Sequence, residues 1–195
     1  MHAPELFRMR AAAALLALAA VPAQAQTYGL GLLASERDLA AWNIDVTPDG
    51  AGLPPGSGSV ARGRQVYESQ CAACHGVKGE GKPADALVGG QGSLNRAQAD
   101  GKPPLKTIGS FWPYATTVFD FINRAMPYNA PQSLKPDEVY AVTAYLLHLN
   151  GILPSDTVLD ASTLPRVRMP NRDGFVVDGR PDTGNVPCRR GCVGR

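Results

Sequence analysis

The sequence predicts a mainly α fold, with three principal helices and loop-rich extensions at both ends. Three observations carry that prediction. Between residues 60 and 151 apolar residues recur in three separate helical stretches. Prolines and a glycine stand where those helices should begin and end. Outside them the chain is dense in breakers: Gly 21 and Pro 17 together make about a fifth of it, against a usual share of about 12%. Such a chain has a modest apolar core of its own and gains from packing around something large and flat.

At the N-terminus Arg8 and Arg10 precede an apolar run from Ala11 to Val21, and Ala23-Gln24-Ala25 places small residues at both cleavage-defining positions. This reads as a secretory signal peptide over residues 1–25, cut after Ala25, and so as export to the periplasm. The run is too short to anchor the chain, because crossing about 30 Å of hydrocarbon takes ~20 residues. No later stretch approaches that length, so no membrane span is expected after cleavage. Cleavage removes Arg8, Arg10 and Glu5 from a net charge of only +2, which gives no electrostatic footprint for nucleic acid.

Residues 26–59 read as a loop-rich N-terminal extension. It holds a short helix near Glu36–Trp42 behind Ser35 as N-cap, then a Gly/Pro/Ser linker from Gly50 to Ser59. The first principal helix is predicted over Val60–Gln70, capped by Ser59. The second covers Pro113–Ala125, with Pro113 in the first turn, where a missing N–H costs nothing. Val118, Phe119, Phe121 and Ile122 are its apolar side, and Pro127 stops it. The third spans Pro136–Leu149 with Gly151 just beyond, and its stripe is Val139, Val142, Leu146 and Leu149. Residues 60–151 form one domain. The tail, 152–195, shows no sustained period, and no strand pairing is expected.

Cys71-Ala72-Ala73-Cys74-His75 has the spacing of covalent haem attachment. Two thiols about one helical turn apart can reach both vinyl groups on one porphyrin edge, and the next imidazole then lies under the iron. A zinc site would need four donors, and the other cysteine pair, Cys188 and Cys192, has no adjacent histidine. A thioredoxin-like pair would need a βαβ setting, of which there is no sign. One covalent haem c is therefore expected, with Cys71 and Cys74 as thioethers and His75 as proximal ligand.

The sixth iron ligand follows by elimination. His2 lies in the signal peptide, and His148 sits ~140° from the apolar stripe of its helix and should face solvent. Two methionines remain after cleavage, Met126 and Met169. Met126 stands between the second and third helices, where the chain must turn back over the haem, and is the expected axial ligand; Met169 lies in the irregular tail. A filled Met/His site raises the potential and suits electron transfer more than chemistry at the iron. The remaining pair, Cys188-Arg-Arg-Gly-Cys192, meets an oxidising compartment after export. A tight turn helped by Gly191 can bring the two within disulfide range, so an intrachain disulfide is expected, beside a bond to a partner chain or a labile redox pair. Neither extension has the periodic apolar content of a core, yet they hold Trp42, Leu53, Phe175 and Val176, so both are expected to touch a partner subunit, the alternative being that they wrap the domain's own surface.

Gly63, Tyr67, Cys71 to His75, Gly76, Met126-Pro127, Glu138-Val139-Tyr140-Ala141 and Ala144-Tyr145-Leu146 together resemble a class I cytochrome c. The resemblance covers Ser59–Gly151. It implies three main helices around one covalent haem, with the first and last crossing at Gly63 and Tyr145. Lys135 departs from it, standing where a Ser or Thr cap is more usual. The flanks carry a narrower resemblance: Trp42–Ser59, Phe111–Thr117 and Met169–Phe175 are similar to the cytochrome subunit of Sox-type sulfite or sulfane dehydrogenases. That likeness implies a redox partner protein, a molybdenum-cofactor dehydrogenase subunit that passes electrons to the cytochrome one at a time. Some members carry two haem motifs and this chain has one. The alternatives are a carrier for another periplasmic dehydrogenase or oxidase, or a haem enzyme acting on a sulfur compound or peroxide.

Overall fold

The computed structural model describes residues 30–95 and 103–179. The proposed signal peptide and the Cys188–Cys192 pair lie outside the described residues. The chain divides into two compact units, Met1–Leu39 and Ala40–Arg195, and the packed core belongs to the second.

Helix α1 spans Glu36–Trp42. Ser35 caps it: its Oγ accepts the Asp38 N–H at 3.2 Å, and the Asp38 carboxylate accepts the Ser35 N–H at 3.0 Å. The hydrogen bond from the Ser35 hydroxyl, 2.6 Å, holds the Asp38 carboxyl below the usual range.

Strand β1, Ser57–Ser59, runs directly into α2, Val60–Gln70. The Ser59 hydroxyl accepts the Arg62 N–H at 3.2 Å, as a cap at this position should. A single turn, α3, follows at Ala72–His75. Helix α4 spans Ala115–Ala125 and α5 spans Pro136–Leu149. Lys135 offers no hydroxyl, but Pro136 opens the helix and the Glu138 carboxylate accepts the Lys135 N–H at 3.1 Å. The missing Ser or Thr is thus largely made good.

Helix α5 is the centre of the molecule. Every residue from Val139 to Leu147 is buried, because α2, β1, α4 and β2 all pack on it. The predicted four-residue stripe is therefore too narrow, and Leu149 at its end is only half-buried. At the crossing with α2, a Cβ on Gly63 would collide with the Ala141 carbonyl and lie 2.8 Å from the Tyr145 Cβ. A glycine is required by this approach of two backbones. The Tyr67 and Tyr145 rings meet beside it, centroids 5.4 Å apart.

Five features differ from the expectations. Strands do pair: β1 lies antiparallel to β2, Val158–Asp160, with Gly58 opposite Leu159. A Ser-Gly-Ser strand has no β signature of its own; Gly58 lets β1 press against Ala141, and Leu159 is buried in the core. Gly50–Ser59 is not a free linker either. Within it the Pro54 carbonyl accepts the Tyr140 hydroxyl at 2.9 Å and the Ser57 N–H donates to the Asp137 carboxylate at 2.8 Å. Just ahead of it the buried Val46 donates its N–H to Asp120 at 3.0 Å, and the Pro48 carbonyl accepts the Thr116 hydroxyl at 3.1 Å.

The tail likewise completes the core through Leu159, Leu164 and Met169, all buried. Asn171 donates to the Phe111 carbonyl at 2.7 Å, and Phe175 meets Phe111 edge-on at 5.3 Å. Both extensions thus pack, in part, on their own domain; of the residues expected to touch a partner, Leu53 packs against the core while Trp42, Phe175 and Val176 stay exposed. Pro113 stands outside α4, since Tyr114 is extended (φ −136°) and acts as N-cap. His148 is half-buried rather than solvent-facing. Gly151, at φ +70°, turns the chain back so that the His148 Nδ1–H donates to the Leu153 carbonyl at 2.9 Å. Among the described residues no helix is long and apolar enough to cross a membrane.

Candidate haem site

The end of α2 and the turn α3 place the predicted donors side by side. Cys71 closes α2, its N–H donating to the Tyr67 carbonyl at 2.9 Å, and it also opens α3. Its thiol is partly buried against the core, and that burial pushes it up to about 11, so the group is held as a thiol. Cys74 is exposed, and both cysteines are free.

His75 ends α3 and is half-buried. Its Nδ1 lies 2.8 Å from the Asp85 carbonyl oxygen. A carbonyl can only accept, so Nδ1 carries the proton and Nε2 carries the lone pair. That is the tautomer a metal-binding imidazole needs, with ring orientation fixed by the backbone behind it. Sequence reasoning missed Asp85, because it acts through its carbonyl and no side-chain signal marks it.

Past His75 the chain turns at Gly76, φ +82°, where a Cβ would lie 2.5 Å from the Glu80 carboxylate. The buried Tyr67 hydroxyl donates to the Gly76 carbonyl at 2.6 Å. The following loop is laced back to the motif: Gly81 N–H to His75 carbonyl at 2.8 Å, Ala84 N–H to Cys74 carbonyl at 2.9 Å, and Leu87 N–H to Gly79 carbonyl at 2.8 Å.

The methionines differ clearly. Met169 is 1% exposed and packed in the core, whereas Met126 is partly buried at its edge. Met126 is the C-cap of α4, extended before Pro127. Two residues earlier Arg124 fixes this end of the helix, with Nη2 2.8 Å from Asp120 and 2.7 Å from Asp45. Its hydrogen bonds to Asp120, then to Asp45, raise the guanidinium further. Among the described residues no three His, Cys, Asp or Glu side chains converge, so the zinc reading finds no donor set there. Two free thiols, an imidazole with its Nδ1 proton engaged, and a thioether at the core edge fit covalent haem.

Comparison with protein families matches residues 60–150 to "Cytochrome c". Among solved structures, one chain of the crystal structure of the sulfane dehydrogenase SoxCD from Paracoccus pantotrophus is 41% identical, with a TM-score of 0.72. The likeness covers 87% of this chain and 84% of that one. The chain is a class I c-type cytochrome. Membership implies covalently bound haem c, and an electron carrier related to the Sox sulfane dehydrogenase subunit. The cytochrome is also 34% identical over 98 residues to "Thiosulfate dehydrogenase" of Stutzerimonas stutzeri (strain A1501). That match takes in 48% of this chain and only 28% of the relative's length.

Proposed function

We propose that this cytochrome is a periplasmic, monohaem, electron-accepting subunit of a sulfur-oxidising dehydrogenase. The observation that carries the reading is the 41% identity to a SoxCD chain over most of both lengths. The likeness extends well outside the 60–150 family match, through flanks that pack on the domain. The partner would be a molybdenum-cofactor dehydrogenase subunit, and the signal peptide over residues 1–25 would deliver the chain to it.

In this reading Cys71 and Cys74 hold the haem as thioethers, and His75 and Met126 are its axial ligands. The haem supplies a one-electron redox centre. The chain's own residues do the rest: the Asp85 carbonyl holds the Nδ1 proton of His75 and orients the ring, and Tyr67 pins the turn at Gly76 behind it. Arg124 and its two carboxylates hold the α4 end from which Met126 projects.

The test is copurification from the native periplasm, followed by stopped-flow reduction of the cytochrome by the bound dehydrogenase. Reduction at one electron per haem on adding the sulfur substrate is expected. A cytochrome that elutes alone, and that the dehydrogenase does not reduce, would overturn the partner. Met126→Ala should lower the potential and remove the weak long-wavelength band of methionine-ligated ferric haem. If Met169→Ala does so instead, the ligand is Met169. The thiosulfate dehydrogenase match favours a second reading, an enzyme acting on thiosulfate itself. Turnover of thiosulfate by the isolated chain would establish it.

A further inference from the structure

Asn150 lies just beyond α5 and is not among the residues expected to hold haem. Its side chain is 7% exposed, and both ends of its amide are engaged. Nδ2 donates to the Leu87 carbonyl at 3.0 Å and to the Leu146 carbonyl at 2.9 Å. Oδ1 accepts the Gly89 N–H at 3.3 Å, and Gln91 Nε2 donates to the Asn150 carbonyl at 3.0 Å. One buried amide thus clasps the loop at residues 87–91 from α5. It bridges 61 residues of sequence to Gly89 and 63 to Leu87.

That loop is the piece of chain that supplies the Asp85 carbonyl to His75. Asp85 stands between two anchors. On one side Ala84 N–H is tied to the Cys74 carbonyl at 2.9 Å; on the other Leu87 N–H is tied to the Gly79 carbonyl at 2.8 Å, and the Leu87 carbonyl to Asn150. Leu87 is half-buried at the edge of the core, and the loop is otherwise held by hydrogen bonds. These include the Ile108 N–H to the Leu87 carbonyl at 3.3 Å and the Thr107 hydroxyl to the Gly89 carbonyl at 2.5 Å. Its position is therefore set by hydrogen bonds, and those reaching the rigid helix α5 run through Asn150.

We propose that Asn150 is a positioning residue for the proximal ligand: by holding the 84–90 loop it sets the strength of the His75–Asp85 hydrogen bond, and thereby the reduction potential. A firm Nδ1–H···O=C bond makes Nε2 a stronger donor, which favours the oxidised iron and lowers the potential. Releasing the loop weakens that bond and moves the potential upward. Replacing a partner bonded directly to a ligand typically changes a metal site about 10-fold or more. Asn150 acts one step further away, so a change of about threefold in the ferrous-to-ferric ratio at fixed poise is expected.

The proposal rests on the reading of His75 as proximal ligand, and the experiment separates the two. Holo-protein matured in a periplasm is examined by NMR and redox titration. Wild type must first show the His75 ring shifted by the haem; if it does not, the ligand reading fails and the proposal with it. Asn150→Ala is then expected to raise the potential and to speed solvent exchange of the His75 Nδ1 proton. Gln91→Ala, which removes only the outer clasp, should do the same to a smaller extent and remains informative if Asn150→Ala does not fold. Leu159→Ala cuts a core side chain on the β1–β2 side and serves as the matched destabilised control. A haem-shifted His75 ring with unchanged potential and exchange in the Asn150 and Gln91 variants overturns the positioning role alone. So does an equal shift in Leu159→Ala, which would make the effect one of general stability.

Discussion

The crossing of α2 with α5 and the loop from Cys71 to Gly90 are neighbours, yet they are held by opposite means. At the crossing, side chains and backbones are in direct contact. Gly63 leaves no space over Ala141, and Tyr67, Tyr140 and the whole run Val139–Leu147 are buried. The loop has little apolar packing. Cys74 is exposed, His75 half-buried, and a lattice of backbone hydrogen bonds keeps its shape. Stability and chemistry are thus assigned to different regions. The crossing cannot give way by a methyl group, while the loop keeps its donors reachable and takes their orientation from carbonyls.

The sharpest way to break the contrast is Gly63→Val. Its added carbons must displace two backbones, and overpacking of this kind costs about 3 kcal/mol or more. Urea unfolding should show a lower midpoint, while the ligand-field spectrum of the folded fraction stays unchanged. A smaller loss, about 1 kcal/mol, is expected for Tyr67→Phe, which removes the 2.6 Å bond and leaves the partly buried Gly76 carbonyl only the Gly79 N–H at 3.3 Å. Because Tyr67 touches both regions, this variant should also loosen the Gly76 turn. An unaltered hydrogen-exchange rate at Gly79 and Gly81 would show that the two regions are independent there.

Removing the haem should separate them next. Amide protection at Gly81, Ala84 and Leu87 is expected to fall at least about tenfold, with amides in the middle of α5 much less affected. Uniform loss across both would mean that the haem, and not the crossing, organises the fold. The mildest test is alkaline. Burial pushes Tyr67 and Tyr140 up to about 12, against about 10 in the unfolded chain. A raised folded-state value means that their contribution is fully present below about pH 10 and is lost as pH rises through about 12. Unfolding midpoints should therefore fall between about pH 10 and 12, and less so in Tyr140→Phe. A variant as alkali-sensitive as wild type would remove tyrosine burial as the cause.

Much of this could be read from residue order. The spans Val60–Gln70 and Pro136–Leu149 match the helices found, because Ser59, Pro136 and Gly151 are local signals that act within a few residues. The Cys71-x-x-Cys-His75 grouping needs no tertiary structure, since all three donors lie within one turn. Gly63 and Tyr145 were also legible, as a resemblance.

What the tertiary structure alone decided is everything that depends on residues far apart in sequence. The β1–β2 pairing joins Gly58 to Leu159, and the segment from Val46 to Pro54 is fastened to α4 and α5. Met169 stands in a tail without apolar periodicity, yet it is core. Asp85 and Asn150 act through a carbonyl and an amide, groups that carry no periodicity and no motif. Helix caps and haem-attachment spacing are local chemistry and are written in consecutive residues. Burial of a loop and the aim of an imidazole depend on which distant surfaces meet, and the folded chain is where that is settled.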